Sequence, residues 1–229
     1  MRILIKLSGE TLLGSCGKGI DFSSVLEICE EIKTCKELGH EIAIVVGGGN
    51  FWRGRCHKDM DSCVSDHIGM LGTTMNALTL QEGFKQCGVE SRVQTAIEMK
   101  QFAEVYIKNR AVRHLEKGRI VIFGCGTGNP YFSTDTAAAL RAAEINADII
   151  YKATNVDGIY DKDPKKYKDA KKYKEIEFIE VIKQKLRVMD LTAISLCMDN
   201  NMPIYVFDIN KKGNLVRVAG GEKIGTIVK

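Results

Sequence analysis

The sequence predicts an α/β fold, a three-layer α/β/α sandwich around a mostly parallel central sheet, and three observations predict it. Apolar β-type runs alternate with segments of helical periodicity along the whole length, the pattern of parallel strands joined by crossover helices and covered on both faces. Three of those runs end directly in glycine-rich turns: Ile3-Leu4-Ile5 in Lys6-Leu7-Ser8-Gly9, Ile42 to Val46 in Gly47-Gly48-Gly49-Asn50, and Ile120 to Phe123 in Gly124 to Pro130. The 229 residues, 45% apolar and 27% charged, can bury a sizeable core, and neither an internal repeat nor a Pro-, Gly- or Ser-rich linker divides them. One domain over 1–229 is expected.

Taken in order, strand 2–8 leads into a helix near 23–38, on which Val25, Cys29, Ile32 and Cys35 recur at helical spacing, and strand 41–46 follows. After the second glycine turn, a long helix over 62–86 carries Val64, Ile68, Leu71, Met75 and Leu78 spaced four and three apart. That stripe fits the core or a subunit contact, and Gly69 and Gly72 beside it would admit another helix. Strand 91–95, a helix over 101–116 stopped by Lys117-Gly118, and strand 119–123 come next. Ser133-Thr134-Asp135 opens helix 134–146 with Thr134 as its N-cap, and 148–152 is the following strand. Helices near 178–185 and 190–200, strand 203–207 and a terminal strand 224–228 complete the chain.

Composition excludes several classes of protein. No apolar stretch approaches the roughly 18–20 residues of a membrane helix, and the first residues read as a strand rather than a signal peptide, so a cytoplasmic protein is expected. Eight cysteines show no C-x-x-C spacing and read as reduced thiols. Cys56, His57, Cys63, Asp66 and His67 are metal-ligand types within a dozen residues, but their spacing matches no zinc pattern, and no metal site is assigned. The net charge of +4 resides in Asp161 to Lys174, where seven lysines meet three aspartates. A nucleic-acid binder would carry a wider basic surface, so this stretch reads as a solvated loop.

The glycine turns carry the chemistry. Glycine lets backbone approach a ligand closely, and successive N–H groups in such turns cradle phosphate oxygens at the carboxyl edge of an open sheet. Neither G-x-x-x-x-G-K-[ST] nor G-x-G-x-x-G occurs, so neither a Walker-type nor a dinucleotide site is supported.

Lys6-Leu7-Ser8-Gly9 after the first strand resembles the opening of the amino-acid-kinase fold. GGGNFWRG (47–54), DHIGMLGTTMN (66–76), GTGNPYFSTD (126–135), KATNVDGIYDKDP (152–164) and VMDLTA (188–193) are similar to the blocks of the bacterial uridylate kinases within that family. The resemblance implies Mg²⁺-dependent transfer of the ATP γ-phosphoryl group to UMP, giving UDP and ADP for pyrimidine nucleotide biosynthesis. It also implies a homohexamer activated by GTP and inhibited by UTP, with an acceptor half near 1–150 and an ATP half near 151–229. An anionic phosphate acceptor needs no general base, and none of the four histidines lies in a glycine-rich turn.

Carried over residue by residue, the resemblance implies Lys6, Arg53 and Asp135 as catalytic residues. Lys6, Leu7, Ser8, Gly9, Gly49, Arg53, Thr154, Asn155, Tyr160 and Asp163 would bind ATP. Gly48, Asp66, Thr127, Gly128, Asn129, Pro130, Tyr131, Phe132, Ser133 and Thr134 would bind UMP. Gly14, Ser15, Cys16, Gly17, Lys18 and Gly19 correspond to the GTP segment, where Cys16 and Lys18 depart from the family pattern, as Gly72 does from the usual alanine in the long helix. Each residue has a plainer alternative. Lys6 could be a strand-end lysine, Asp135 a first-turn acid favoured by the helix dipole, Arg53 a surface partner of Trp52, and Asp66 a helix cap. Another small-molecule kinase of this fold, a non-catalytic nucleotide-binding protein, or nucleic-acid binding by the basic loop are the alternatives for the whole chain.

Overall fold

The computed structural model describes residues 1–14, 16–56, 59–164, 166–186 and 188–229. Their elements run β1 (Arg2–Leu7), α1 (Phe22–Glu37), β2 (Glu41–Val46), α2 (Ser62–Gln86), β3 (Ser91–Thr95), β4 (Glu104–Val105), α3 (Lys108–Glu116), β5 (Ile120–Gly124), α4 (Thr134–Glu144), β6 (Ile149–Thr154), β7 (Glu175–Ile176), α5 (Phe178–Lys183), α6 (Leu191–Asp199), β8 (Ile204–Asp208), α7 (Asn214–Ala219) and β9 (Thr226–Val228). The strands form one sheet in the order β4-β3-β5-β2-β1-β6-β8-β9-β7. Every pairing is parallel except that of β8 with β9. The predicted sandwich is therefore the one observed.

The period-2 alternation of strand side chains divides the core into two. Leu4 and Ile150 point to the face covered by α3 to α6, where they join Ala137, Ala138, Val181 and Ile194. Ile3, Ile5 and Tyr151 point to the face covered by α1, α2 and α7, with Ile32, Leu80 and Leu215. The same alternation directs Lys6 and Lys152, two residues on from Leu4 and Ile150, toward α4. In-register pairing of β1 with β6 sets these two lysines side by side.

Several elements differ from the sequence prediction. The helix expected over 101–116 begins at Lys108, because Glu104 and Val105 pair with Gln94 and Thr95 as the edge strand β4. Neither α7, β7 nor the 3₁₀ turns Gly9–Leu12 and Gly54–Cys56 was foreseen. Thr134 is not the N-cap of α4. Ser133 is, its Oγ accepting from the N–H groups of Asp135 and Thr136 at 2.9 and 3.2 Å.

The largest correction concerns α2. Its inward stripe is Met70, Thr73, Ala77, Leu80 and Phe84, while Val64, Leu71 and Met75 of the predicted stripe are 49%, 52% and 44% exposed. The helix has apolar residues on two faces, and the sheet takes only one. Gly69 and Gly72 admit the second glycine turn rather than another helix, since a Cβ on Gly48 would lie 2.7 Å from the Gly69 carbonyl and 3.1 Å from the Thr73 nitrogen.

Candidate active site

Parallel strands bring the three glycine turns to the same edge of the sheet. The Gly47 N–H donates to the Leu7 carbonyl at 2.9 Å, which closes the second turn against the first. Gly9 is confined between them: a Cβ there would meet the Asn50 Oδ1 at 2.3 Å and the Gly47 carbonyl at 2.7 Å, so only glycine fits. Gly49 has open space where its Cβ would be, leaving its backbone accessible to a ligand. In the third turn Cys125, Gly126, Gly128 and Tyr131 all have positive φ, and the Cys125 N–H donates to Thr73 Oγ1 of α2 at 2.8 Å. Side chains rarely adopt φ near 62° and 69°, so holding Cys125 and Tyr131 there implies a loop fixed by its surroundings.

The electrostatic centre is a carboxylate shared by two ammonium groups. Asp135, in the first turn of α4, lies 3.0 Å from Lys6 Nζ and accepts a hydrogen bond from Lys152 Nζ at 2.5 Å. The three side chains are 18%, 9% and 11% exposed. Burial pushes the Asp135 carboxyl up, but the two lysine charges outweigh it and hold the group below the ordinary carboxylate range. Lys152 is pushed down to about 8, by burial first and then by the like charge of Lys6, with Asp135 opposing. Sequence reasoning missed Lys152: it opens a quoted block, but only the β1–β6 register reveals its partner.

Asp190 is the second residue missed. It caps α6 by accepting from the Ala193 N–H at 3.0 Å and also accepts from Ser133 Oγ and, at 2.9 Å, from Thr136 Oγ1. One carboxylate thus ties the start of α6 to the start of α4, fixing the helix end that carries Asp135.

Two cavities flank this centre. The smaller, about 310 Å³, is lined by Gly48, Gly49, Asp66, Thr127, Phe132, Ser133 and Thr134, together with α2 residues. Asp66 Oδ2 accepts from the Tyr131 N–H at 2.7 Å, joining α2 to the third turn. Asp66 is not the cap of α2, a role taken by Asp61, which accepts from the Val64 N–H at 3.0 Å. Thr127 and Asn129 stabilise their own turn, the Asn129 N–H donating to Thr127 Oγ1 at 3.2 Å and Thr127 Oγ1 to the Asn129 carbonyl. Gly128 packs on Ala96, Pro130 is half-buried and Tyr131 is exposed.

The larger cavity, about 610 Å³, is lined by Lys152, Thr154, Tyr160 and Asp163 with an apolar wall including Ile159, Leu186 and Val206. Both volumes suit small-molecule ligands. Tyr160 is held by donating its hydroxyl to Asp157 at 2.8 Å, and Lys172 donates to the same carboxylate at 3.0 Å. A bridge between Tyr160 and Lys172 closes the basic loop at its base, and most of the described residues between them are exposed, as in a solvated loop. Asn155 stands apart from the lining, its Oδ1 accepting from Asn210 Nδ2 at 3.2 Å.

Arg53 lies on the rim. Its guanidinium pairs with Glu10 and its Nε donates to the Gly49 carbonyl at 3.2 Å, beside the first and second turns rather than at Asp135. In the Gly14–Gly19 segment, Gly14, Gly17 and Gly19 adopt positive φ, and Gly19 is hydrogen-bonded to Asn50 of the second turn. Ser15 and His57 lie outside the described residues. Among those described, no group of three His, Cys, Asp or Glu is placed to hold a metal ion, and no helix is long and apolar enough to cross a membrane.

Residues 1–208 match the model of the amino acid kinase family. The chain is similar over its full length to the solved structure of UMP kinase from Bacillus anthracis, with 40% identity, 95% of that chain covered and a TM-score of 0.96. UMP kinase from Ureaplasma parvum gives 39% identity, coverage of 100% and 98%, and a TM-score of 0.96. Uridylate kinase from Archaeoglobus fulgidus is more distant, with 26% identity, full coverage of both chains and a TM-score of 0.76.

Proposed function

Because this chain belongs to the amino acid kinase family, we propose that it transfers the γ-phosphoryl group of ATP to the phosphate of UMP, giving ADP and UDP in pyrimidine nucleotide synthesis in the cytoplasm. The observation that carries this reading is the placement of Lys6, Lys152 and Asp135 between the two cavities. Thr134 of the smaller cavity adjoins Asp135, and Lys152 lines the larger one. UMP fits the smaller cavity, with Gly48, Asp66 and Thr127 to Thr134 about it, and ATP the larger, with Thr154, Tyr160 and Asp163. We assign residues near 1–150 to the acceptor half and 151–229 to the donor half of one domain.

A phosphate oxygen of UMP attacks the γ-phosphorus as the bond to the ADP leaving oxygen breaks. No proton has to leave the nucleophile, so the protein's task is alignment and charge stabilisation. Lys6 and Lys152 supply positive charge to the transferring group, and Asp135 holds both ammonium groups in place. The backbone of Ser8, Gly9 and Gly49 faces the phosphates, and Arg53, freed from Glu10, adds a rim charge.

The donor set suits a Mg²⁺ ion that arrives on the ATP phosphates, because Mg²⁺ retains waters and Asp135 is already engaged by two lysines. When bound, that ion neutralises phosphate charge. Asp135 is the acidic side chain of this centre that would face its water shell.

The exposed apolar face of α2 supports self-association, and we assign the chain to a homohexamer. GTP activation through Gly14 to Gly19 and UTP inhibition complete the proposal. Release of ADP with UMP, CMP, carbamate or acetylglutamate as acceptor tests it. UMP should be used far faster than the others, since a site that hydrogen-bonds uracil leaves buried polar groups unpaired against cytosine. Equal turnover of UMP and CMP would overturn the selectivity, and turnover of carbamate or acetylglutamate alone would overturn the assignment.

A further inference from the structure

We infer that Asn76, in the middle of α2, and Asn50 form a positioning pair that sets the spacing between the first and second glycine turns, and with it the alignment of donor and acceptor phosphates. The proposal rests on the phosphoryl-transfer reading above. Asn76 is fully buried and Asn50 is 6% exposed. Their side-chain amides bond reciprocally, Asn50 Nδ2 donating to Asn76 Oδ1 at 2.9 Å and Asn76 Nδ2 to Asn50 Oδ1 at 2.7 Å. The second hydrogen of Asn76 Nδ2 goes to the Gly47 carbonyl at 2.7 Å, and that of Asn50 Nδ2 to the Gly19 carbonyl at 2.8 Å. All four amide hydrogens are therefore used, the condition under which a buried polar pair fixes one geometry.

The pair also occupies a decisive place. Asn50 Oδ1 fills the space that a side chain on Gly9 would need, so it abuts the first turn while Asn76 holds the second. Asn76 follows Met75, which faces outward on the exposed side of the same helix, and Asn50 is bonded to the Gly14–Gly19 segment. A shift of α2 or of that segment thus reaches the first two turns through these two amides, beside the packing of Gly48 on Gly69 and Thr73.

The test replaces Asn76 by leucine, which keeps the volume and removes the three hydrogen bonds of its side chain, with Asn76→Ser as a milder variant should the first fail to fold. Turnover, KM for ATP and for UMP, and amide hydrogen exchange are measured well below each variant's melting temperature. The expected result is a kcat lower by about 10²-fold, the cost of a displacement near 1 Å in an aligned reaction, with KM values changed only a few-fold. The Gly47 N–H should exchange faster while β6 and β8 keep their protection. A lowered melting temperature with normal kcat and unchanged exchange at Gly47 would overturn the proposal, since a purely structural residue predicts that pattern. If the unaltered protein forms no UDP, the functional reading fails separately, and the exchange at Gly47 still decides whether the pair fixes the turn.

Discussion

At the scale of single residues, the centre holds two like charges in a nearly enclosed space against one carboxylate. Removing that carboxylate leaves two buried ammonium groups facing each other, whereas removing one lysine leaves a balanced pair. Lys6→Ala and Asp135→Asn should each lower kcat by about 10²–10³-fold with smaller changes in nucleotide affinity, because the backbone cradles remain. Asp135→Asn should in addition lower stability by about 3–5 kcal/mol, the cost of breaking a buried pair. A helix-end acid with no other role would cost only about 0.3–1 kcal/mol and leave turnover intact. Steady-state kinetics and thermal denaturation of one Asp135→Asn preparation decide between these outcomes.

Lys152 gives a second prediction, in pH. Its proton is lost near pH 8 in the folded, ligand-free protein, so if its charge assists transfer, kcat/KM should fall as pH rises through about 8. Stability moves the other way. Between about 8 and the ordinary lysine value of about 10.4 the unfolded chain binds more protons, so this group's penalty on the folded state is relieved as pH rises. The opposite signs separate loss of catalysis from unfolding. Lys152→Arg, charged at every accessible pH, should flatten the decline in the kcat/KM profile, and a variant that retains it would remove Lys152 from the reaction. Lys6 and Asp135 were legible in the sequence because each lies beside a glycine block, but Lys152 and Asp190 were not. Their partners lie 17 and 57 residues away, for Asp135 and Ser133 respectively, and only strand register and helix packing bring them into contact.

At the scale of elements, α2 is the informative case. Periodicity identified a helix with the correct ends and one of its apolar stripes, yet assigned no second one, because Thr73 and Ala77 carry too little hydrophobicity to mark a buried face. Part of the buried face, Gly72, Thr73 and Thr74, is made of small residues for a steric reason: the Gly47–Gly49 turn and β5 press against it. The exposed stripe is the face assigned above, in the proposed homohexamer, to another subunit. Met75→Lys should therefore weaken assembly while changing the stability of the individual subunit by no more than about 0.5 kcal/mol, as for an ordinary surface site. Light scattering against concentration measures the first, and denaturation at low concentration the second. An unchanged assembly would remove this face from the contact. The missed edge strand β4 and the short helix α7 show the other limit, since two and six residues are too few for any periodicity to register.

At the scale of the whole molecule, the two proposed halves are joined at the centre of the sheet rather than by a linker. β1 pairs with β2 on one side and with β6 on the other, so the boundary near residue 150 runs between two hydrogen-bonded strands that are buried except at their ends. Opening that boundary would expose Leu4 and Ile150 on one face and Ile5 and Tyr151 on the other, which makes independent unfolding of either half unfavourable. The subunit should consequently unfold in a single transition when followed by both far-UV circular dichroism and Trp52 fluorescence. ATP, although it would contact chiefly the second half, should then stabilise the whole. At 100 times its dissociation constant a ligand adds about 2.7 kcal/mol to the folded state. For a chain of this size each kcal/mol raises the melting temperature by about 2–4 °C, so a shift of roughly 5–11 °C is expected in both signals together. Trp52 lies in the acceptor half, beside the smaller cavity, and has no place in the proposed ATP site. If ATP moved only the circular dichroism transition and left the Trp52 transition where it was, the halves would be separate folding units and the single-domain assignment would fall.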